Sequence, residues 1–423
     1  MSKNLISLTN AILFCTSITI GAGVYLNPKT LVGIAGPFCF VGYLIAALIL
    51  LPMVLSIAEL TRFQPVSGGV YVYSKEYLNS TMGFLSAWSY FIAKSVSLVF
   101  ILHNVVFFVQ SHIPSIMWIP TFFLDYCALA FLIILNIAGV FVAGKIQYVF
   151  ITLKMIPIVF AFICGFVLFD TSLFSLPIPH ASSFLQTIPV SLYAIVGFEV
   201  ICSIGGFIQN PATNIRKAIL SSFAVVVGVC TVFTLLLYAM LGPEVATSHN
   251  ALLMLGQKLG MPMLGKVING IVFASLIGGA FGILTGNCWN LHTLAHENYF
   301  PFKSILTKIN KYHVPWVSLI IEGLISMFVI TITAQQLPLQ NMAVFATFIC
   351  YFITALAAFK AFKIEKNASL PRIVPAFAMI TCGGVIIFCL KNIYAFGISC
   401  SFITVFLVGC LLAIWKKYFR PQS

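Results

Sequence analysis

The sequence predicts an all-α integral membrane protein with about twelve transmembrane helices. Of its 423 residues, 61% are hydrophobic and only 7% are charged, so most of the chain must face lipid or other helices. Apolar segments of about 18 or more residues recur along the whole length, whereas the period-two alternation of a membrane β-barrel is absent. Each helix with its loop then takes about 35 residues, which leaves no room for a soluble domain.

The first span is expected at about residues 5–34 and carries Gly21-Ala22-Gly23 near its middle. The apolar run resumes after these glycines, so we interpret it as an uncleaved helix rather than a signal peptide. The other spans are expected at about 38–60, 82–110, 120–140, 146–169, 186–207, 219–241, 267–289, 315–333, 340–361, 373–390 and 393–415. Between them, 61–73 reads as an inner loop and 242–265 as a longer outer loop that could form part of an outer gate.

Two of these spans are interrupted, one in each half of the chain. Gly21-Ala22-Gly23 interrupts the first, and Gly197-Phe198-Glu199 interrupts the span at about 186–207. A helix break is costly in hydrocarbon because the freed N–H and C=O groups need partners, so breaks are tolerated mainly where the backbone lines a cavity. Paired breaks in corresponding helices indicate a secondary transporter whose substrate binds where the two halves meet.

The formal net charge of +13 is explained by membrane topology rather than by a nucleic-acid partner. With the amino terminus inside and twelve spans, the inner segments hold sixteen of the 22 basic residues and the outer segments hold four. The remaining two, Lys94 and Lys154, fall within spans. This asymmetry satisfies the positive-inside rule with both termini cytoplasmic.

Several other classes of protein are disfavoured by missing patterns. The twelve cysteines form no C-x-x-C pair, so neither a disulfide framework nor a zinc site is indicated, and no phosphate-binding loop for ATP is present. A membrane enzyme would carry clustered acidic or histidine motifs, and the run His292-x-x-x-His296-Glu297 lacks the glutamate between its histidines. Nothing resembles the filter of a channel. We therefore expect no enzyme activity, no metal and no cofactor.

Three ordered motifs carry a resemblance to a known family. Ala58-Glu59-Leu60 is followed by Pro65, Ser67-Gly68-Gly69 and Tyr71-x-Tyr73, and Gly197-x-Glu199 is followed by Asn210-Pro211 and Arg216-Lys217. Together with the broken first helix, they resemble the amino acid/polyamine/organocation transporter superfamily from the first helix to about Pro315. The resemblance implies a ten-helix core at 1–361, built from inverted repeats at about 5–169 and 186–361, with two further helices in 362–423.

The resemblance also implies where a substrate binds. The half-helix expected to start near Val24 would offer free N–H groups and a positive dipole end to a carboxylate. Carbonyls freed near the two breaks would accept from the ammonium of an amino acid. The implied substrate-binding residues in this chain are Ile20, Gly21, Ala22, Gly23, Val24, Val196 and Gly197. The alternative is that the glycines only let helices pack closely.

Three further residues are candidates for the same site. Tyr193 lies one helical turn before Gly197, where the arginine/agmatine antiporter branch has a tryptophan over the substrate side chain. Glu199 is an ionisable group beside a break, and such groups tend to gate or to exchange protons. Lys94 has no counterpart in the family pattern and would disfavour cationic substrates unless Glu59 or Glu199 neutralises it. Core packing or a structural ion pair remains open for each of them, and His103 and Glu322 are expected to be structural.

Lys154 and Glu199 are the candidates for proton coupling. The run from Ile151 to Pro157 resembles the fifth helix of a proton-coupled amino acid transporter branch, in which a lysine takes the place of a bound cation. A low dielectric disfavours the charged ammonium, which allows proton release when access changes. Snorkelling to the inner interface is the structural alternative. An exchanger of amino acids or polyamines without proton coupling is the alternative function.

The partners expected from the sequence are an amino acid substrate, protons and the lipid bilayer, with no nucleic acid. The expected location is the plasma membrane, specifically a bacterial inner membrane, with both termini cytoplasmic. The identity of the amino acid and the oligomeric state stay open.

Overall fold

A computed structural model describes residues 5–66, 68–139, 144–174, 179–248, 250–365, 367–395, 397 and 399–419. Ser67 of the second predicted motif therefore lies outside the described residues. The described residues are mainly α-helical, and the one isolated β-bridge among them pairs Ile6 with Ile208 in parallel.

The α-helices follow one another along the whole chain. They are α1 (Leu8–Thr19), α2 (Ala22–Ala35), α3 (Val41–Phe63), α4 (Gly69–Tyr77), α5 (Ser80–His112), α6 (Thr121–Ile137), α7 (Gly144–Leu168), α8 (Ala181–Ile195), α9 (Pro211–Leu241), α10 (Glu244–Thr247), α11 (Ala251–Lys258), α12 (Pro262–His296), α13 (Lys303–Leu306), α14 (Trp316–Ile332), α15 (Gln336–Ile364), α16 (Ile373–Ala395) and α17 (Ser399–Phe419). A 3₁₀ segment, Phe198–Phe207, connects α8 with α9.

Each of the twelve predicted spans corresponds to helical structure in the described part of the chain. Seven helical stretches are long and apolar enough to cross a membrane, and the pair α1 and α2, bent by 45°, forms an eighth. The four remaining spans correspond to shorter apolar helices at Thr121–Ile137, Thr152–Leu168, Trp316–Ile332 and Phe402–Lys416. Most long helices extend a few residues beyond the predicted limits, because helix ends continue past the apolar core.

Three predicted boundaries are wrong. The stretch 61–73 is not all loop, because α4 begins at Gly69, and the outer loop 242–265 contains α10, α11 and the start of α12. The twelfth span does not begin at Ile393, because α16 continues to Ala395. Lys391-Asn392 reads as a polar turn in the sequence, yet Asn392 Nδ2 donates to Asn341 Oδ1 of α15 at 2.9 Å, which lets the helix continue.

The chain forms two compact units. The first unit contains Met1–Gly69, Tyr148–Leu276 and Ala358–Thr381, and the second contains Val70–Gln147, Ile277–Ala357 and Cys382–Ser423. Neither unit coincides with a predicted repeat, since both draw helices from both halves of the sequence. The predicted repeats at 5–169 and 186–361 stay a prediction.

The first unit brings both interrupted helices together. In it α3 packs against α8 and α9, α1 packs against α9 and the 3₁₀ segment, and α2 packs against α8. Backbone bonds join the chain ahead of α1 to the end of the 3₁₀ segment: Ile6 N–H donates to Phe207 O at 2.8 Å and Gln209 N–H donates to Ile6 O at 3.0 Å.

The second unit is held at one end by a cluster of charged and aromatic side chains. Lys75 of α4 pairs with Glu297 at 2.9 Å, and Lys416 Nζ of α17 donates to the Glu297 carbonyl at 2.8 Å. The Lys416 ammonium also lies 3.6 Å from the ring centre of Tyr299. Burial raises the pKa of Glu297, but hydrogen bonds from Lys75 and Tyr71 outweigh it and leave this pKa below its ordinary value. The carboxylate is therefore charged at neutral pH and holds the ends of α4, α12 and α17 together.

Candidate functional site

The first break lies between α1 and α2, at Ile20 and Gly21. Both residues have extended backbones, with φ −67° and ψ 90° at Ile20 and φ −110° and ψ −153° at Gly21. The helix resumes at Ala22, so the predicted start near Val24 is two residues too late. Gly21 is the N-cap of α2, and the N–H groups without a helical partner belong to Gly21 and the first turn that follows.

The second break lies at Val196 and Gly197. Val196 is extended, and Gly197 has φ +126°, a conformation that only glycine adopts without strain. The two breaks are neighbours in the first unit, since a Cβ placed on Gly197 would lie 3.6 Å from the Cα of Thr19, the last residue of α1. A further contact joins α1 to the 3₁₀ segment, because Cys15 Sγ donates to Phe198 O at 3.3 Å. The two breaks therefore lie next to each other in the first unit.

Gly23 and Gly21 occupy different surroundings. A Cβ on Gly23 would lie 2.6 Å from the Cβ and 2.7 Å from the Cα of Ala194, so this glycine lets α2 approach α8 closely. A Cβ on Gly21 would meet only Thr19 O at 3.8 Å, which is an ordinary contact. Close packing thus accounts for Gly23, whereas Gly21 leaves space beside the free N–H groups.

Glu199 is buried, with 3% of its surface exposed, and lies in the first turn of the 3₁₀ segment. Its Oε2 accepts the N–H of Gly197 at 3.0 Å. A carboxylate there satisfies a backbone donor that the break would otherwise leave open, and it lies at the end of the segment where a negative charge is favoured. The carboxylate therefore closes part of the second break with the chain's own atoms.

Tyr193 and Val196 share a face near the end of α8. The residues that separate and flank them are buried, whereas both of these side chains are partly exposed. Residues three apart lie on the same side of a helix, and Val196 is the C-cap that directly follows α8, next to the second break. This placement is compatible with the substrate contact predicted for both.

Lys154 contacts both halves of the first broken helix. Its Nζ donates to the carbonyl of Ser17, in the last turn of α1, at 3.4 Å. Its own backbone carbonyl accepts a hydrogen bond from the hydroxyl of Tyr25 in α2. No carboxylate of the described residues forms an ion pair with this ammonium. A carbonyl at the carboxyl end of a helix favours a cation, which is the position expected for a bound ion or for a lysine that replaces it.

Lys94 belongs to the second unit. Its ammonium lies 4.8 Å from the ring centre of Tyr90, one turn earlier on α5. Glu59, which the sequence suggests as a group that could neutralise Lys94, forms ion pairs with Arg62 and Arg216 of the first unit.

Glu59 is the centre of a buried network that the sequence did not reveal. Its Oε1 accepts from Arg62 at 2.5 Å and from the backbone N–H of Ser369 at 2.7 Å, and its Oε2 lies 3.4 Å from Arg216. The carboxylate is fully buried and thereby joins α3, α9 and the connection between α15 and α16. The arginine side chains are 29% and 30% exposed, so removing one of them should cost less than the roughly 3–5 kcal/mol typical of a fully buried pair. The signal in the sequence was a glutamate inside an apolar span, next to a basic inner loop.

Two other polar groups in spans find partners inside the second unit. His103 Nδ1 lies 2.8 Å from Asp125 Oδ2, and Asn287 Nδ2 donates to Glu322 Oε1 at 3.0 Å. These contacts support the structural roles expected for His103 and Glu322. The His292 and His296 rings lie 4.6 Å apart, but the described residues contain no group of three or more possible metal ligands.

The comparison with known proteins agrees with this arrangement. Residues 6–418 match the family described as amino acid permease. The chain is 22% identical over 400 residues to the serine/threonine exchanger SteT of Bacillus subtilis, covering 90% of this chain and 89% of that protein. It is 21% identical to the lysine-specific permease LysP of Lactococcus lactis, covering 71% of this chain and 64% of that protein. It is 23% identical to the L-asparagine permease of Escherichia coli, covering 71% and 63%.

These relatives are named as transporters, and the match extends over nearly the whole chain. Together with the apolar helices, it identifies a multi-pass membrane protein of the transporter class and confirms the all-α architecture with about twelve spans. The chain belongs to the amino acid permease family.

Proposed function

We propose that this protein is a secondary active transporter that carries amino acids across a bacterial inner membrane by alternating access, coupled to protons. The observation that carries the proposal is the meeting of the two helix breaks in the first unit, with Gly197 beside Thr19. A zwitterion needs donors for its carboxylate and acceptors for its ammonium, and two adjacent breaks offer both in backbone form.

In this proposal the carboxylate binds the free N–H groups at Gly21 and the first turn of α2. The ammonium binds carbonyls of Ile20 and Val196, both of which end a helix with an extended backbone. The Glu199 carboxylate adds negative charge beside the ammonium while it holds Gly197 N–H. Tyr193 contacts the substrate side chain.

Proton coupling is proposed for Lys154. Its ammonium on the Ser17 carbonyl stabilises the last turn of α1 when charged, and loss of the proton weakens that bond. Because the bond ends on the inner half of the broken helix, protonation favours one position of α1 over the other. Outside protons and substrate would then enter together and leave together.

A second candidate is exchange of amino acids without protons. The relative that covers 90% of this chain is named as a serine/threonine exchanger, which favours this candidate. In that case Lys154 would be a permanent charge that supports α1.

The test is transport by purified protein in proteoliposomes. We expect uptake of a radiolabelled amino acid when an inward proton gradient is imposed, with no effect of sodium. Uptake that requires internal amino acid and ignores the proton gradient would favour exchange. Failure of all twenty amino acids and common amines in counterflow would contradict the transport function itself.

The charge preference of the substrate gives a separate prediction. If Lys94 faces the substrate, its ammonium should exclude arginine, lysine and polyamines. We expect Lys94→Ala to improve uptake of cationic amino acids relative to neutral ones by roughly tenfold, because the substitution removes one positive charge that repels a cationic substrate. Lys391→Ala, which removes an exposed lysine elsewhere in the second unit, is the control. A wild-type preference for arginine would show the assignment of Lys94 to be wrong.

A further inference from the structure

Lys154 of α7 has bonds to both sides of the first break. Its side chain reaches the last turn of α1 through the Ser17 carbonyl, and its backbone carbonyl receives the Tyr25 hydroxyl from α2. The two half-helices are therefore connected twice, once through the break itself and once through a single residue of α7.

The turn of α7 that contains Lys154 is weakened by Pro157. Proline has no N–H, so the carbonyl of Leu153, four residues earlier, loses its helical donor. A carbonyl oxygen has two lone pairs, which lets Lys154 O accept from the Tyr25 hydroxyl in addition to any helical bond. This turn of α7 lacks one helical hydrogen bond, so a hydrogen bond from another helix affects its position more than it would affect a turn with all its helical bonds.

Packing places the Tyr25 hydroxyl independently of its hydrogen bond. The Tyr25 ring lies edge-on to Phe233 of α9, with ring centres 5.9 Å apart. Tyr25 is also the fourth residue of α2, directly after the residues whose N–H groups are proposed to bind a carboxylate. A shift of α2 on substrate binding would therefore pull on the Lys154 backbone through this hydroxyl.

The titratable groups around this point are few in the described residues. Cys15 lies on α1 and interacts electrostatically with Glu199 of the 3₁₀ segment, Cys230 of α9 faces Tyr25, and Lys29 lies one turn further along α2. Cys15 accepts a hydrogen bond from Ser222 of α9 at 3.0 Å. Lys154 is a cationic group of this set that donates to α1, through the Ser17 carbonyl.

We propose that Tyr25 is a positioning residue that couples substrate binding at the first break to the bond between Lys154 and Ser17. Its hydroxyl transmits the position of α2 to the Lys154 turn, which sets the distance from the ammonium to the Ser17 carbonyl. The proposal rests on the proposed function, because it assumes a substrate at the break and a proton on Lys154.

The experiment compares Tyr25→Phe, Tyr238→Phe and Lys154→Ala in proteoliposomes. Tyr25→Phe keeps the ring and its contact with Phe233 but removes the hydroxyl. Tyr238→Phe is a matched control, because its hydroxyl also donates to a backbone carbonyl of the first unit, that of Leu173 at 3.2 Å. Counterflow reports substrate binding and movement, and uptake against external pH reports coupling.

We expect Tyr25→Phe to keep its counterflow KM within about twofold of wild type while its proton-driven accumulation falls about tenfold, within the usual range of coupling between two sites. Tyr238→Phe should keep both the counterflow KM and the proton-driven accumulation of wild type. Tyr25→Phe added to Lys154→Ala should change the pH profile no further.

Three results would overturn the proposal. A wild-type pH profile in Tyr25→Phe, with the profile lost in Lys154→Ala, rejects the role of Tyr25 and leaves proton coupling at Lys154 intact. Equal loss of counterflow and accumulation in Tyr25→Phe would assign the hydroxyl to binding or folding instead. An unchanged profile in Lys154→Ala rejects the proton site, and the role of Tyr25 with it.

Discussion

Replacing Lys154 by alanine should abolish the dependence of amino acid uptake on an inward proton gradient. The substitution removes the ammonium that donates to the Ser17 carbonyl at the end of α1. Uptake of the variant should be the same across external pH, at a rate about ten- to a hundredfold below that of wild type at acidic pH, as expected when a coupling of 1–3 kcal/mol is lost.

Lys258→Ala is the matched control for this prediction. The Lys258 ammonium also donates to a backbone carbonyl of the first unit, that of Met240 at 2.6 Å, but it lies on α11 rather than beside a break. Its pH profile should equal that of wild type. Sodium-dependent uptake by wild type, or a normal pH profile in Lys154→Ala, would refute proton coupling through this residue.

Replacing Gly23 by leucine should abolish substrate binding in a protein that still inserts into the membrane. Even the Cβ would lie 2.6 Å from Ala194, so α2 must move away from α8, and the first turn of α2 moves with it. Adding atoms to a close contact commonly costs about 1–3 kcal/mol, and more where backbone is involved. Binding is measured by scintillation proximity with a transported amino acid, and insertion by membrane yield and a monodisperse elution profile.

Gly21→Ala separates close packing from the proposed carboxylate site. Its methyl group would have space, and the extended backbone of Gly21 is open to alanine. If a carboxylate binds beside this residue, KM should rise about tenfold, the cost of roughly one hydrogen bond to a charged group. Normal uptake by a well-expressed Gly23→Leu variant would contradict the site, whereas a normal KM in Gly21→Ala would contradict carboxylate binding beside Gly21.

The positions of the two breaks could be predicted because they depend on local chemistry. Glycine weakens a helix wherever it stands, and Gly197 does adopt a backbone with positive φ that other residues avoid. The predicted start of α2 is two residues late, because either glycine could serve as the N-cap and the sequence does not distinguish between them. The structure distinguishes the two glycines, because Ala194 lies so close to Gly23 that a side chain there would clash, whereas Gly21 has no such neighbour.

The partners of the polar side chains could not be predicted in the same way. The sequence leaves Glu59 as a possible partner for Lys94, yet Glu59 pairs with Arg62 and Arg216. A buried charge must find partners, but which ones it finds depends on how helices distant in sequence are arranged. Glu199 illustrates the same point, because no sequence pattern indicates that its carboxylate turns back to the N–H of Gly197.

The backbone pairing of Ile6 with Phe207 and Gln209 constrains how the first unit can change shape. Two main-chain hydrogen bonds of 2.8 and 3.0 Å act like a short strand pair between segments that are about two hundred residues apart in the chain. Main-chain bonds of this kind are independent of side-chain identity, so most substitutions at these positions leave them in place. A displacement of α1 that preserves these bonds must carry the end of the 3₁₀ segment along with it, so α1 and this segment have to move together.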